Sequence, residues 1–311
     1  MMGAMRTSHN LSRTHAIAVT LASAALFGFA TPAVKPFIAG VEPQLAAGVL
    51  YLGMGLGLAG RYAARGFPRP GIERSELGWL ALSLVCGGVA APWLIFWGLA
   101  HGTATATSLL TNMEIVFSTL LARFWFGERY PGRLFLGVGA IVGGAVVLSG
   151  LHGGIDPIPA AAIVGACAFW GVDNNSMRKI AHADAGFVGC AKGLLSGAVN
   201  TGIAMSWGAA WPETPAILGI AAIGMVCYGA SFSLYVRGLR VLGAARTSAL
   251  YGVAPFAGAL VGVGFLHESI SLHLVLAAVL ISVGVWIHLV EPHAPMGPHL
   301  VDVPDDPDNR R

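Results

Sequence analysis

Ten apolar runs, each close to the roughly 20 residues a helix needs to cross the hydrocarbon of a bilayer, recur along the chain at short polar intervals. They extend from His15 to Phe37, Gln44 to Gly60, Glu76 to Leu99, Thr103 to Phe126, Leu134 to Leu151, Pro159 to Met177, Phe187 to Ala209, Ala216 to Val236, Thr247 to Leu266 and Leu272 to Val290. The fourth is not uniformly apolar. Thr103, Thr107, Thr111, Glu114 and Ser118 recur at steps of three or four, so they share one helical face, and the other faces carry Leu, Ile, Val and Phe. An ionisable side chain at mid-depth costs roughly 3 kcal/mol on insertion scales, so this stripe is expected to face protein or a wet cavity.

The same stretch returns later in the chain. At an offset of 140, Glu128 falls on Glu268, Ala104 on Ala244, Thr107 and Ser108 on Thr247 and Ser248, and Leu110 and Leu120 on Leu250 and Leu260. At an offset of 143, Phe27 and Gly28 meet Trp170 and Gly171, and Lys35 meets Arg178. Two units follow, 15–151 and 159–290, between a cytoplasmic segment 1–14 and a Pro- and Asp-rich tail 291–311 expected to be disordered. Each unit holds five spans, an odd number, so two homologous halves must insert in opposite orientations. The expected fold is all-α, a polytopic membrane protein of ten transmembrane helices in two inverted five-helix repeats around a central cavity.

Charge supports that topology. Only 11% of residues are Asp, Glu, Lys or Arg, where a typical soluble domain has about 25%. With the N-terminus inside, sixteen of the eighteen Lys and Arg fall in inner segments, as the positive-inside rule requires; Lys35 and Lys192 are the exceptions. The inner loop GERYPGR corresponds to HESISLH, which has lost every Arg and Lys, while the outer turn HGTA corresponds to LGAAR, which has gained Arg246. The two arginines before the first run superficially resemble a secretory signal, but no convincing cleavage site follows and the run reads as an uncleaved helix. Both termini are thus expected in the cytoplasm.

The helix ending in FGER, the duplication, and Ala254-Pro255-Phe256 followed by His267-Glu268 resemble the EamA-type drug/metabolite transporter superfamily over about His15 to Val290. Within it the chain is most similar to the bacterial exporters of aromatic amino acids and paraquat. The resemblance implies a secondary transporter of the bacterial inner membrane. Its spans one, three, four, six, eight and nine would line the cavity, with five and ten standing aside. The first half departs from the second, with Glu114 and Ile115 where the second has Ala254 and Pro255.

Glu114 reads as a counter-ion for a substrate ammonium, as a protonatable carboxyl, or as a buried carboxyl bonded to a neighbouring helix. Asn112 and Thr111 continue its face; Asn112 reads equally as a substrate contact and as an interhelical hydrogen bond. Trp93, Trp97, Trp170 and Tyr251 could stack an aromatic substrate or hold a cation over a ring, against core packing as the plain reading. Trp170, Asp173, Asn174 and Met177 share a second face. Asp173 and Lys192, at similar depth, are expected to form a structural or gating ion pair, with direct substrate contact as the other reading. The GxxxG pairs Gly139–Gly143, Gly193–Gly197 and Gly258–Gly262 suit close helix packing, and Pro32, Pro92 and Pro255 suit bends.

The chain contains no nucleotide-binding or zinc-protease pattern and no metal-spaced cluster, and its cysteines read as small core residues. The expected partners are therefore a small-molecule substrate and the lipid bilayer, with no cofactor and no nucleic acid, in a monomer or homodimer. Proton-coupled export of hydrophobic cations is the alternative substrate reading. A membrane-embedded enzyme would need a clustered catalytic set near one face, and a scaffold would not need a duplicated polar stripe. Topology is directly testable: a cysteine at Ser271 should react with an impermeant maleimide from outside the cell, and one at Gly132 only from inside. The reverse pattern would sink the inverted repeat.

Overall fold

The computed structural model describes residues 13–125, 127, 130–149, 155–180, 182–242, 247 and 250–290. Glu128, Arg129, Arg246, Ser248, most of the N-terminal segment and the tail from 291 lie outside the described residues, and with them part of the pairing expected from the 140-residue offset. The described residues are helical and contain no strand. The first unit comprises α1 (Arg13–Val34), α2 (Pro43–Ala64), α3 (Leu77–Ser83), α4 (Ala91–His101), α5 (Ala104–Leu110), α6 (Met113–Trp125) and α7 (Gly132–Ser149). The second comprises α8 (Pro157–Lys179), α9 (Ala185–Ser206), α10 (Thr214–Ile223), α11 (Ser231–Leu242), α12 (Ala254–Phe265) and α13 (Leu272–Val290).

Helix starts follow local chemistry. α2 begins with Pro43, whose missing N–H costs nothing there, and the Glu42 carboxylate accepts from the Leu45 N–H at 2.8 Å. Its counterpart α9 begins at Asp184, whose carboxylate accepts from the Phe187 N–H at 3.0 Å. Six helical stretches are long and apolar enough to cross a membrane: Thr14–Phe37, Pro43–Ala64, Arg74–His101, Gly132–Ser149, Thr214–Gly238 and Leu272–Val290. The other four predicted spans fall on helices that are interrupted, short or polar. The fourth is broken at Thr111–Asn112, and α12 is 12 residues long. α8 and α9 have the length but carry Asp173, Asn174, Asn175, Lys192 and Asn200.

The third and eighth predicted spans contain the same irregularity. Leu84–Ala90 and Gly224–Ala230 are π-helical, 140 residues apart, joining α3 to α4 and α10 to α11. In the first the Ala91 N–H bonds the Cys86 carbonyl; in the second the Ser231 N–H reaches the Val226 carbonyl, again 140 residues on. A π turn holds one residue more than α geometry and leaves carbonyls without their usual donors.

Glycines decide which helices meet. A Cβ on Gly193 would lie 2.4 Å from the Gly55 Cα, and one on Gly53 would lie 2.1 Å from the Ala221 carbonyl oxygen, so α2 packs backbone to backbone against α9 and α10. α1 packs on α11 and α12, and α8 correspondingly packs on α4 and α6. α7 and α13 pack chiefly on each other, where a Cβ on Gly284 would sit 2.6 Å from the Gly137 carbonyl oxygen. Of the three GxxxG pairs, Gly193–Gly197 and Gly258–Gly262 lie at contacts. Gly139 and Gly143 differ: they have nothing within 4 Å and face outward, because α7 turns Gly137 and Gly144 toward its partner instead.

Gly193→Ala should therefore cost about 1–3 kcal/mol through backbone overlap and lower the thermal unfolding temperature of the purified protein. Gly139→Ala should be neutral or stabilising by up to about 1 kcal/mol. Equal effects would contradict this packing.

Candidate substrate cavity

A narrow internal cavity of about 30 Å³ lies where the two units meet, room for about one or two waters. Phe27, Gly28 and Thr31 of α1, Ile95, Phe96 and Leu99 of α4, Ser108 of α5, Thr111, Trp170 of α8, Tyr228, and Ala254 and Pro255 of α12 form most of its wall. Two close approaches shape it. A Cβ on Gly28 would fall 2.0 Å from the Ala254 carbonyl oxygen, and one on Gly171 would fall 2.8 Å from the Phe117 Cβ. Only glycine lets α1 and α8 come this near to α12 and α6, and the two positions correspond in the repeat.

Aromatic rings crowd one side. Phe27 lies 5.1 Å from Tyr228 and 5.5 Å from Tyr251, centroid to centroid; Tyr228 is 5.9 Å from Tyr51, and Tyr251 is 5.0 Å from Tyr235 in an edge-on contact. Such spacings suit tilted and edge-to-face packing. The Tyr251 hydroxyl lies 3.4 Å from the Ser231 hydroxyl.

Below the cavity α8 turns adjacent residues in opposite directions. Asn174 donates from Nδ2 to Glu114 Oε1 at 2.5 Å and to Ser118 Oγ at 3.2 Å. Asp173, 4% exposed, accepts from Ser83 Oγ at 2.5 Å and pairs with Lys192. A Cβ on Gly87 would fall on the Asp173 carboxylate, so the π turn's glycine makes room for the buried charge.

The break between α5 and α6 has its own partners. Thr111 Oγ1 donates to the Ser108 carbonyl at 2.6 Å, Asn112 Nδ2 donates to the Leu109 carbonyl at 2.9 Å, and the Cys167 thiol lies 3.6 Å from the Leu110 carbonyl oxygen. Asn112 Oδ1 and Ser108 Oγ, both buried, have no hydrogen-bond partner among the described residues.

Of the residues singled out from sequence, Thr111 and Trp170 line the cavity, Tyr251 belongs to its aromatic side, and Glu114 and Asn174 are joined just beyond it. Asn112 is buried behind the wall. Asp173 and Lys192 are brought together as expected from their matched depth. Trp93 and Trp97 lie elsewhere: Trp93 packs edge-on against Trp207 at 6.0 Å, and Trp97 stacks on His101 at 4.3 Å. Tyr51 and Tyr228 were not singled out, and Phe27 only as the counterpart of Trp170 in the repeat. The repeat offers a signal for Phe27, which falls opposite Trp170; nothing in the apolar runs around Tyr51 and Tyr228 marks them.

At the opposite end from Asp173, Glu268 ties the link between α12 and α13 to the start of α5. Its carboxylate accepts from the Ala104 N–H at 2.7 Å, the Thr105 N–H at 2.8 Å and the Thr105 hydroxyl at 2.5 Å, and lies 3.6 Å from Lys35 Nζ. Lys35 also donates to the Gly102 carbonyl. The carboxylate meets the positive end of a helix and orphan N–H groups together.

A multi-helical bundle with membrane-length apolar spans, enclosing a small polar-aromatic cavity between two similar units, has the architecture of a solute transporter. The chain belongs to the EamA-like transporter family, whose pattern matches residues 14–150 and again 158–290. It is a multi-pass membrane protein. It is 28% identical over 225 residues to an uncharacterized transporter of Methanothermobacter thermautotrophicus, a match covering 70% of this chain and 65% of that protein. It is also 31% identical over 109 residues to a probable 4-amino-4-deoxy-L-arabinose-phosphoundecaprenol flippase subunit of Pseudomonas fluorescens, covering 34% of this chain and 91% of that one. A crystal structure at 20% identity superposes with a TM-score of 0.66 over 89% of this chain and 96% of its own, a likeness of fold alone.

Burial by itself would raise the Glu268 pKa, but the Thr105 hydroxyl and N–H, the Ala104 N–H and Lys35 outweigh it and hold the carboxyl below its usual value. Its ionised form is therefore the stabilising one. That contribution is complete above the free-carboxyl value of about 4.3 and is lost as pH falls through the lower folded value. Glu268→Gln should destabilise the protein by about 1–3 kcal/mol at pH 7, and its unfolding temperature should converge on that of the wild type toward pH 3. A gap independent of pH would assign the effect to shape rather than charge.

Proposed function

We propose that the protein is a secondary transporter that exports small amphipathic amines, aromatic amino acids first, by alternating access across a bacterial inner membrane. The observation that carries the substrate class is the Glu114 carboxylate bonded to Asn174 of α8, the helix whose Trp170 lines the aromatic cavity between the two units. Rings stack on an aromatic side chain or attract a cation through their faces, and a carboxylate hydrogen-bonded by a neutral amide keeps its charge for an ammonium group.

The proposed frame is ten membrane helices in two inverted five-helix repeats with both termini in the cytoplasm. Supporting it, α2 and α9 begin and end 142 residues apart, the π turns lie 140 apart, and the contacts of α1 with the second unit are exchanged for those of α8 with the first. Inverted repeats place a substrate near the midplane between halves that rock around it. A cavity of about 30 Å³ is smaller than an amino acid, so substrate entry requires the halves to move apart. Glu268 with Lys35 joins the helices at one end, and Asp173 with Lys192 and Ser83 joins them at the other.

Proton-coupled export of hydrophobic cations is the second reading, favoured by one observation: among the described residues lining the cavity none is Lys or Arg. Efflux from proteoliposomes loaded with labelled Trp, Phe or Thr separates the two. Transport of Trp and Phe supports the first reading, and failure of all three alongside export of a hydrophobic cation supports the second. Glu114→Gln should abolish exchange against a proton gradient. Exchange with unchanged pH dependence would remove Glu114 from that role.

A further inference from the structure

The π turn before α4 accommodates Pro92 but does not depend on it, since the matching turn at Gly224–Ala230 is followed by Phe232 at the same place, and it has a consequence that concerns the cavity. Pro92 has no N–H for the Gly88 carbonyl four residues back, and in an unbroken α-helix its ring would collide with that oxygen. The extra residue of the π turn relieves the collision, with the Ala91 N–H reaching back to the Cys86 carbonyl. The next two carbonyls are then served from other helices. The Tyr51 hydroxyl of α2 donates to the Gly87 carbonyl at 2.9 Å, and Asn200 Nδ2 of α9 donates to the Gly88 carbonyl at 2.7 Å. Both donors are buried, Tyr51 at 4% and Asn200 at 0% exposure.

One residue more or less in a helix turns everything beyond it by about 100° and moves it by about 1.5 Å. In the present register Ile95, Phe96 and Leu99 line the cavity, while Gly98 fits against Ile163, whose Cγ1 lies 2.5 Å from where a Cβ would stand. Without the extra residue Leu94, Ile95 and Gly98 would take the three cavity places, removing the Phe96 ring. Trp97 would then be driven into the slot that admits only glycine.

We propose that Tyr51 and Asn200 are positioning residues that hold this π register and so choose which face of α4 walls the cavity and what shape of substrate it admits. The inference rests on the cavity being the substrate path, but its test needs no substrate. Phe96→Cys and Leu94→Cys are each labelled with a small water-soluble methanethiosulfonate in proteoliposomes and read site by site by mass spectrometry. Phe96 is 3% exposed in this structure, so in the native background Phe96→Cys should react as the cavity opens between the halves, whereas Leu94→Cys, packed toward Gly165 of α8, should be protected throughout. Tyr51→Phe with Asn200→Leu should reduce that contrast about tenfold, the equivalent of roughly 1.4 kcal/mol from two lost hydrogen bonds.

Deleting Val85 together with Pro92→Ala gives a regular α-helix that delivers the same face without the donors. In that background the contrast should return, and Tyr51→Phe with Asn200→Leu should no longer matter. A purely structural role for the two residues predicts no such rescue. The proposal is overturned if the contrast survives loss of both donors in the native background. It is equally overturned if the shortened helix fails to restore the contrast, including by failing to fold. Loss of transport of every amine tested, with the labelling pattern as expected, would reject the substrate reading and leave the positioning role standing.

Discussion

In hydrocarbon every backbone N–H and C=O must find its partner inside the protein, because no water is there to accept the remainder. Most of this chain meets that requirement with uninterrupted helix. Where it does not, the cavity is nearby. The π turn at Leu84–Ala90 draws on Tyr51 and Asn200, and the break at Thr111–Asn112 draws on Thr111, Asn112 and the Cys167 thiol. Each of these two irregularities takes at least one partner from another helix, Tyr51 and Asn200 in the first and Cys167 in the second. The helices that wall the cavity are held by these hydrogen bonds together with close glycine packing, because the hydrophobic effect supplies little drive between helices in lipid.

The same economy governs charge. Asp173 and Lys192 neutralise each other beside Ser83, an arrangement in which losing either partner leaves an unpaired buried charge. Glu114 is treated differently: among the described residues its side-chain hydrogen bond comes from the neutral amide of Asn174, the residue after Asp173 on α8. The two halves are alike in backbone and unlike in ionisable groups, since Glu114 has Ala254 as its counterpart. Architecture thus follows the duplication, and chemistry departs from it.

Glycine connects the two themes. The close approaches at Gly28 and Gly171 are related by the repeat and bring α1 and α8 against the half-helices at the cavity. The outward positions of Gly139 and Gly143 show that spacing alone does not identify a contact face, because a helix with many glycines offers several such faces and the partner selects one. Trp93 and Trp97 illustrate the same point for aromatic residues. Their one-turn spacing places them on one side of α4, and the π turn before them decides that this side looks away from the cavity toward Trp207 and His101.

The linear sequence by itself determined that the chain is helical and lies in a membrane, that it is duplicated, and where most helices begin and end, because apolar run length, charge placement and capping residues act locally. It also singled out Glu114, Asn174, Trp170 and the Asp173–Lys192 pair, since a polar or charged side chain in an apolar run is conspicuous against its neighbours. Tertiary structure alone decided the rest. Tyr51 and Tyr228 are ordinary residues in apolar runs until another helix presents a carbonyl or a ring to them. The inserted residue of a π turn leaves no distinct mark in a run of small apolar residues, yet it rotates all that follows. A cavity is a property of several helices at once, fixed by how close their backbones come, and no single stretch of sequence contains that distance.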